Sequence, residues 1–153
     1  APNAKITRAE LVKILGGVAA IDTGKYKASS FKDVAAGAWY APYINWAAEA
    51  GLVKGVGNGK FAPNQTLTRQ ELAAILYSFT KQCPIFSSNT ANTVVFADKN
   101  KIAAWAQSSI DYISACGIMT ADSKNCFNPA ANASRAEVAM VLTRYIALET
   151  SGM

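Results

Sequence analysis

The chain has 153 residues, 51% hydrophobic and only 16% charged, the make-up of a folded domain rather than of a disordered tail. Its formal charge of +5 comes from 15 Lys and Arg against 10 Asp and Glu; this favours an acidic partner, but no dense basic run concentrates it, which argues against nucleic acid. Histidine is absent, and Cys83, Cys116 and Cys126 form no Cys-x-x-Cys pair, so the commonest general base, the commonest metal ligand and the usual zinc spacing are missing.

No catalytic residue, metal or cofactor is therefore expected. No apolar run approaches the roughly 18 residues of a membrane-spanning helix, so membrane insertion is not expected either. The start, Ala1-Pro2-Asn3-Ala4, reads as a processed or truncated end compatible with secretion.

In chain order, the first predicted helix covers residues 7 to about 20, with Gly16-Gly17 as a point where it weakens or ends early. A polar connector follows, then Phe31-Lys32-Asp33-Val34, then Trp39-Tyr40 opening a second helix with Pro42 in its first turn and Gly51 at its end. Trp39, Tyr43, Trp46, Ala47 and Ala50 fall at helical spacing, so the tryptophans, Trp105 included, read first as core. A glycine-rich loop comes next, with Gly55, Gly57 and Gly59, then a Phe-x-Pro turn, then a third helix from Thr68 to about Lys81. Residues 82–94 read as an inserted surface loop.

Thr68-Arg69-Gln70-Glu71 fits a capping box, flanked by Leu67 and Leu72 as a hydrophobic staple. Thr7-Arg8-Ala9-Glu10 and Ser134-Arg135-Ala136-Glu137 repeat the pattern, with the arginines 61 and 66 residues apart. The apolar stripe Leu11, Ile14, Leu15, Val18 recurs as Leu72, Ile75, Leu76, Phe79 and as Val138, Val141, Leu142, Tyr145. From Trp105 onward a constant offset of 66 relates the chain to its earlier part: Trp39 to Trp105, Gly51 to Gly117, Phe61 to Phe127, Pro63 to Pro129. The predicted fold is all-α, built of helix-loop-helix repeats. The expected layout is one domain over 1–153, with the second half of repeat one and its connector over 6–30. Complete repeat two covers 31–81, the inserted loop 82–94, and a divergent repeat three 95–150.

The capping boxes account for Thr68 and Glu71, but an arginine at N1 meets the positive end of the helix dipole and calls for an anion or a carboxylate partner. Thr68→Ala is therefore expected to cost about 1 kcal/mol, and Arg69→Ala almost nothing. In repeat three, Gly55-Val56-Gly57-Asn58-Gly59 becomes Ala121-Asp122-Ser123-Lys124-Asn125, and Tyr40 becomes Ala106. Cys116 and Cys126 bracket that altered loop and are expected to be disulfide-bonded, stabilising by roughly 2–3 kcal/mol, with Cys83 left as a free thiol.

Together Phe-x-Asp-Val, Trp-Tyr, Gly-Leu-Val-x-Gly, Gly-x-Phe-x-Pro-Asn and Leu-Thr-Arg-x-Glu, all between Phe31 and Glu71, resemble the S-layer homology (SLH) domain of bacterial cell-surface proteins. The resemblance implies a pseudo-threefold helical bundle with lobes. It also implies an extracellular place at the cell wall and non-covalent anchoring to an anionic, pyruvate-bearing secondary wall polysaccharide. Self-association or protein interaction through the same grooves is the alternative. Carried over to this chain, the glycan-binding candidates are Arg69, Arg8, Arg135, Lys54, Gly55, Gly57, Gly59, Asp33, Trp39 and Tyr40. The best site is expected around Arg69 and the loop of residues 54–59. Asp33 and Asp98 read first as caps or arginine partners.

Overall fold

The computed structural model describes residues 3–27, 30–82 and 94–151. It is all-α: α1 (Arg8–Val18), α2 (Ala41–Glu49), α3 (Arg69–Gln82), α4 (Gln107–Ala115) and α5 (Arg135–Ser151), with short 3-10 turns at Thr23–Lys25, Lys99–Lys101 and Ala104–Ala106. The chain divides into two compact units, residues 6–66 and residues 1–5 with 67–153.

In the 6–66 unit, α1 packs against α2. Thr7 and Glu10 close a reciprocal capping box at its start, and Ile6, fully buried, is the staple. Gly16-Gly17 does not break the helix, which runs to Val18. Gly16 is where the two helices touch: a β-carbon there would lie 2.6 Å from a ring carbon of Tyr43. Ala20 takes the left-handed conformation after α1, and the Ile21 amide returns to the Gly16 carbonyl at 3.1 Å. The core is Leu11, Leu15, Val34, Ile44, Ala47, Leu52 and Phe61. Ile14 and Val18, expected in the apolar stripe, are instead 37% and 36% exposed, because the face of α1 that meets α2 is centred on Leu11, Leu15 and Gly16.

The second unit packs α3 against α4. The Thr68 amide and hydroxyl both bond Glu71, and the Glu71 amide returns to the Thr68 hydroxyl. At α5, Ser134 accepts from the Glu137 amide at 3.0 Å. Here Leu72, Leu76, Phe79, Ile110, Ile113, Phe127 and Tyr145 make the core. Gly51 and Gly117 both have positive φ, +77° and +75°, and each stops the preceding helix in the same way.

Each capped helix starts against an extended segment of another repeat. Antiparallel bridges join Thr7 to Thr66, Thr68 to Asn132 and Ser134 to Lys5. The first helical amides follow suit: Arg8 donates to the Gln65 carbonyl, Arg69 to that of Ala131 and Arg135 to that of Ala4, at 2.8–2.9 Å. Backbone groups that a helix start leaves unpaired are thus satisfied by another segment.

Candidate functional site

Two loops, residues 54–61 and 120–127, are built on one plan. An aspartate anchors each from below. Asp33 accepts from the Phe61 and Ala62 amides at 2.8 Å each, and Asp98 from the Phe127 and Asn128 amides at the same distance. Burial pushes the Asp33 carboxyl up, but the Phe61 and Ala62 amides, helped by the Lys60 charge, outweigh it, and its pKa lies below the ordinary 3.8. Both oxygens of each aspartate are committed to the turn, so Asp33, a binding candidate in the sequence, is placed as a structural clamp.

An arginine holds each loop from the side. Arg8 donates through Nε to the Phe61 carbonyl (2.9 Å) and through Nη2 to the Lys54 carbonyl (2.7 Å), with its guanidinium 4.5 Å from the centre of the Phe61 ring. Arg69 does the same one repeat later, to Phe127 (2.7 Å), to Thr120 (3.1 Å) and over the Phe127 ring at 4.8 Å. Arg69 also forms an ion pair with Glu137. Arg8 holds the loop of residues 54–61, and Arg69 holds that of residues 120–127. Each arginine reaches the loop of the following repeat, because its helix begins against that repeat's extended segment. The arginine at N1 does have the partner that helix physics demands, but the partner is protein. Burial pushes the Arg69 guanidinium below its usual value, with Asp122 and Asp98 pulling the other way. The side chain of Arg135 is exposed at the start of α5.

The surfaces of the two loops differ. Residues 54–60 are all exposed. They turn at Gly57 (φ +108°), Asn58 and Gly59 (φ +72°), and Gly55 is obligatory, since a β-carbon there would sit 2.8 Å from the Lys60 carbonyl. Lys54 and Lys60 stand at the two ends of this loop, and the stem of Lys32 runs alongside Gly59. The equivalents in repeat three are Thr120, Cys126 and Ala97, so all three ammonium groups are gone. In place of Val56 comes Asp122, whose carboxylate accepts from Asn128 Nδ2 and from the Cys126 and Lys124 amides, all at 2.9 Å. These bonds hold its pKa below the ordinary range, the Asn128 bond most of all.

The expected disulfide between Cys116 and Cys126 is not formed, and both are free thiols. Asp122, with the backbone bonds Asp122 to Cys126 and Asn125 to Asp122 (3.0 Å each), closes the loop, while the Cys126 thiol turns to the Lys124 carbonyl. Burial raises the Cys116 pKa, opposed by its hydrogen bond with Tyr112. Cys83 lies outside the described residues.

Trp39 and Trp105 are not core: they are 55% and 60% exposed, whereas Trp46 is buried. Both exposed rings precede their helices, in the loop before α2 and in the 3-10 turn before α4, where no helix face turns them inward. Trp39 meets Tyr40 edge-on (5.0 Å between centroids), and Lys13 Nζ lies 5.2 Å above its ring. Sequence reasoning missed Lys32, Lys60, Lys13, Asp122 and Glu137. Comparing residues at the fixed offsets would have found the loop lysines, since Lys32, Lys54 and Lys60 all change together.

Among the described residues no helix is long and apolar enough to cross a membrane, and no group of His, Cys, Asp or Glu is placed to hold a metal ion.

The sequence profile of the S-layer homology domain matches residues 30–73 and 95–139, more than half of the chain. An amylopullulanase of Thermoanaerobacterium thermosulfurigenes is 34% identical over 99% of the chain, which corresponds to 8% of that protein. A surface-layer 125 kDa protein of Lysinibacillus sphaericus is 33% identical over 95% of the chain and 12% of its own length. A cellulosome-anchoring protein of Acetivibrio thermocellus is 30% identical over 94% of the chain and 32% of its own length. The chain thus spans a third or less of these relatives. With two profile matches on two copies of the same clamped loop, it belongs to the S-layer homology domain family, a module of the bacterial cell surface.

Proposed function

We propose that the chain anchors its protein non-covalently by binding an anionic wall polysaccharide, and that the main site is the loop of residues 54–60. One observation carries this reading: a fully exposed, glycine-turned loop bears Lys54 and Lys60, has Lys32 beside it, and is held rigid from beneath by Arg8 and Asp33. A rigid loop loses little entropy on binding. Ammonium groups around exposed backbone amides suit a carboxylate such as a pyruvate ketal through charge-assisted hydrogen bonds. Arg8, 8% exposed, acts in this reading as a positioning residue, and Trp39 offers a ring face to a sugar.

The corresponding face of repeat three favours an acid less. Its arginine is engaged by Glu137, and in its loop Asp122 offsets the charge of Lys124, whereas the loop of the second repeat carries lysines without an acid. The relatives that carry similar segments include, by name, a cellulosome-anchoring protein and a surface-layer protein, which agrees with an anchoring role.

Calorimetry against purified wall glycan, with and without its acidic substituents removed, tests the proposal. The double variant Lys54→Ala with Lys60→Ala is expected to lose at least about tenfold in affinity, roughly 1.4 kcal/mol, and the neutralised glycan to bind the unaltered chain correspondingly less well. Equal binding to both glycans would refute the anionic mechanism. Binding to no wall glycan would leave a protein-interaction module.

A further inference from the structure

At the tip of the loop of residues 54–60 the chain turns through Asn58 and Gly59, with φ +56° and +72°, and the Lys60 amide closes the turn on the Gly57 carbonyl at 3.0 Å. Two successive left-handed residues between antiparallel partners are the turn for which Asn-Gly is the favoured pair. The same pair is the most open to attack by the backbone on its own side chain, because glycine places no β-carbon beside the nitrogen that follows the asparagine. Asn58 and Gly59 are both exposed. Among the described residues the Gly59 N–H has no hydrogen-bond partner.

At most other asparagines that nitrogen is engaged. After Asn64 the Gln65 amide donates to the Ala62 carbonyl at 3.1 Å, after Asn100 that of Lys101 to Asp98 at 2.9 Å, and after Asn132 that of Ala133 to Leu67 at 2.8 Å. After Asn125 the Cys126 amide donates to the Asp122 carboxylate at 2.9 Å. Asn128 precedes a proline, which has no N–H to lose. Of the two clamped loops, then, only the lysine-bearing one leaves a free amide behind an asparagine. Lys32 runs alongside it: its Cε is 3.0 Å from where a β-carbon of Gly59 would stand, so its ammonium is one bond further. A cation there favours both the deprotonated amide nitrogen and the oxyanion that its attack creates.

We propose that Asn58 is a site of spontaneous deamidation promoted by Lys32. The Gly59 nitrogen gives its proton to water or hydroxide and attacks Asn58 Cγ. The new C–N bond closes a five-membered succinimide, the Cγ–Nδ2 bond breaks, and Nδ2 leaves as ammonia, which takes up a proton from solvent. Water then opens the ring at one of its two carbonyls. Opening at Cγ leaves aspartate at position 58; opening at the main-chain carbonyl leaves iso-aspartate, with the chain running through the former side chain. Nothing is oxidised or reduced, and one amide has been exchanged for one carboxylate. The formal charge of +5 falls by one, at a point between Lys54 and Lys60. Iso-aspartate also lengthens the backbone by one atom inside the turn that the Lys60 amide closes. The proposal stands whatever the loop binds.

The test is peptide mapping by mass spectrometry of the intact folded chain after incubation in mildly alkaline buffer. The peptide holding Asn58 should gain one mass unit progressively and split into two products, one of them a substrate for protein iso-aspartate methyltransferase. Peptides holding Asn64, Asn125 and Asn132 should not change over the same interval. Asn58→Gly keeps a residue suited to positive φ and should abolish the conversion. Lys32→Ala, at an exposed position, should slow it about twofold in the folded chain, the weight of one solvent-exposed charge, and should leave the rate unchanged in urea. An Asn58 peptide that gains no mass overturns the proposal, as does conversion at Asn64, Asn125 or Asn132 as fast as at Asn58, or a folded-state rate that Lys32→Ala does not lower.

Discussion

The loops of residues 54–60 and 120–126 share a frame and differ in surface. Beneath both, an aspartate caps two amides and an arginine donates to two carbonyls over a phenylalanine ring. Above that frame one loop turns on glycines and carries two lysines at its ends, whereas the other turns on Asn125, carries Lys124 and has an aspartate that bonds three groups. The frame belongs to folding and is kept in both copies. The surface is free to diverge, and a repeat protein can thereby hold two recognition faces on one scaffold.

The clamps should produce the largest effects. Asp33→Ala and Asp98→Ala each strand two loop amides, and each is expected to cost about 3 kcal/mol in urea denaturation, with the buried Asp98 at least as costly as Asp33. A negligible loss at either position would show that the two frames are not equivalent. The pH dependence follows the same logic. Because the folded-state pKa of Asp33 lies below 3.8, its contribution is complete above that value and fades as pH falls through the lower folded one. Melting temperature should therefore drop on acidification below about pH 4, and the drop should shrink in Asp33→Asn.

Arg69 comes next. Removing it leaves Glu137 and two carbonyls without their donor, so Arg69→Ala should cost about 2 kcal/mol, more than the roughly 1 kcal/mol of Thr68→Ala. This reverses the order read from the helix start alone. A smaller loss for Arg69→Ala, measured by the same denaturation, would return the guanidinium to a role in ligand binding.

The turns offer a finer contrast. Ala62 and Asn128 hold the same left-handed conformation, φ +59° in both, but only asparagine adopts it readily. Ala62→Asn should stabilise by about 0.5–1 kcal/mol, and Asn128→Ala should lose somewhat more, since it also removes the bond to Asp122. Equal and opposite changes in thermal melting would mean that the Asp122 network adds nothing.

The smallest expected effect is none at all. Peptides containing Cys116 and Cys126 should alkylate fully without prior reduction, and a reductant should leave melting unchanged on their account. A linked pair by mass mapping would overturn this expectation.

How much of this was legible beforehand depends on the distance over which each feature is decided. The capping boxes at Thr7 and Thr68, the helix stops at Gly51 and Gly117 and the repeat offset were readable, because they rest on bonds between residues three to six apart or on direct identity between copies. The exposure of Trp39 and Trp105 was not, since helical spacing counts a residue as inward-facing even where it precedes the helix that would bury it.

The sequence by itself determined the all-α repeat, the start and stop of its helices and the family, through local hydrogen bonding and apolar periodicity. Only the tertiary structure decided which loop each arginine holds. The partners of Arg8 and Arg69 are backbone carbonyls 46 to 58 residues away, and a carbonyl is the same in every residue, so it leaves no mark in the sequence. The same holds for the cysteines: whether two thiols join depends on how the fold places them in space, which their spacing in the sequence does not state.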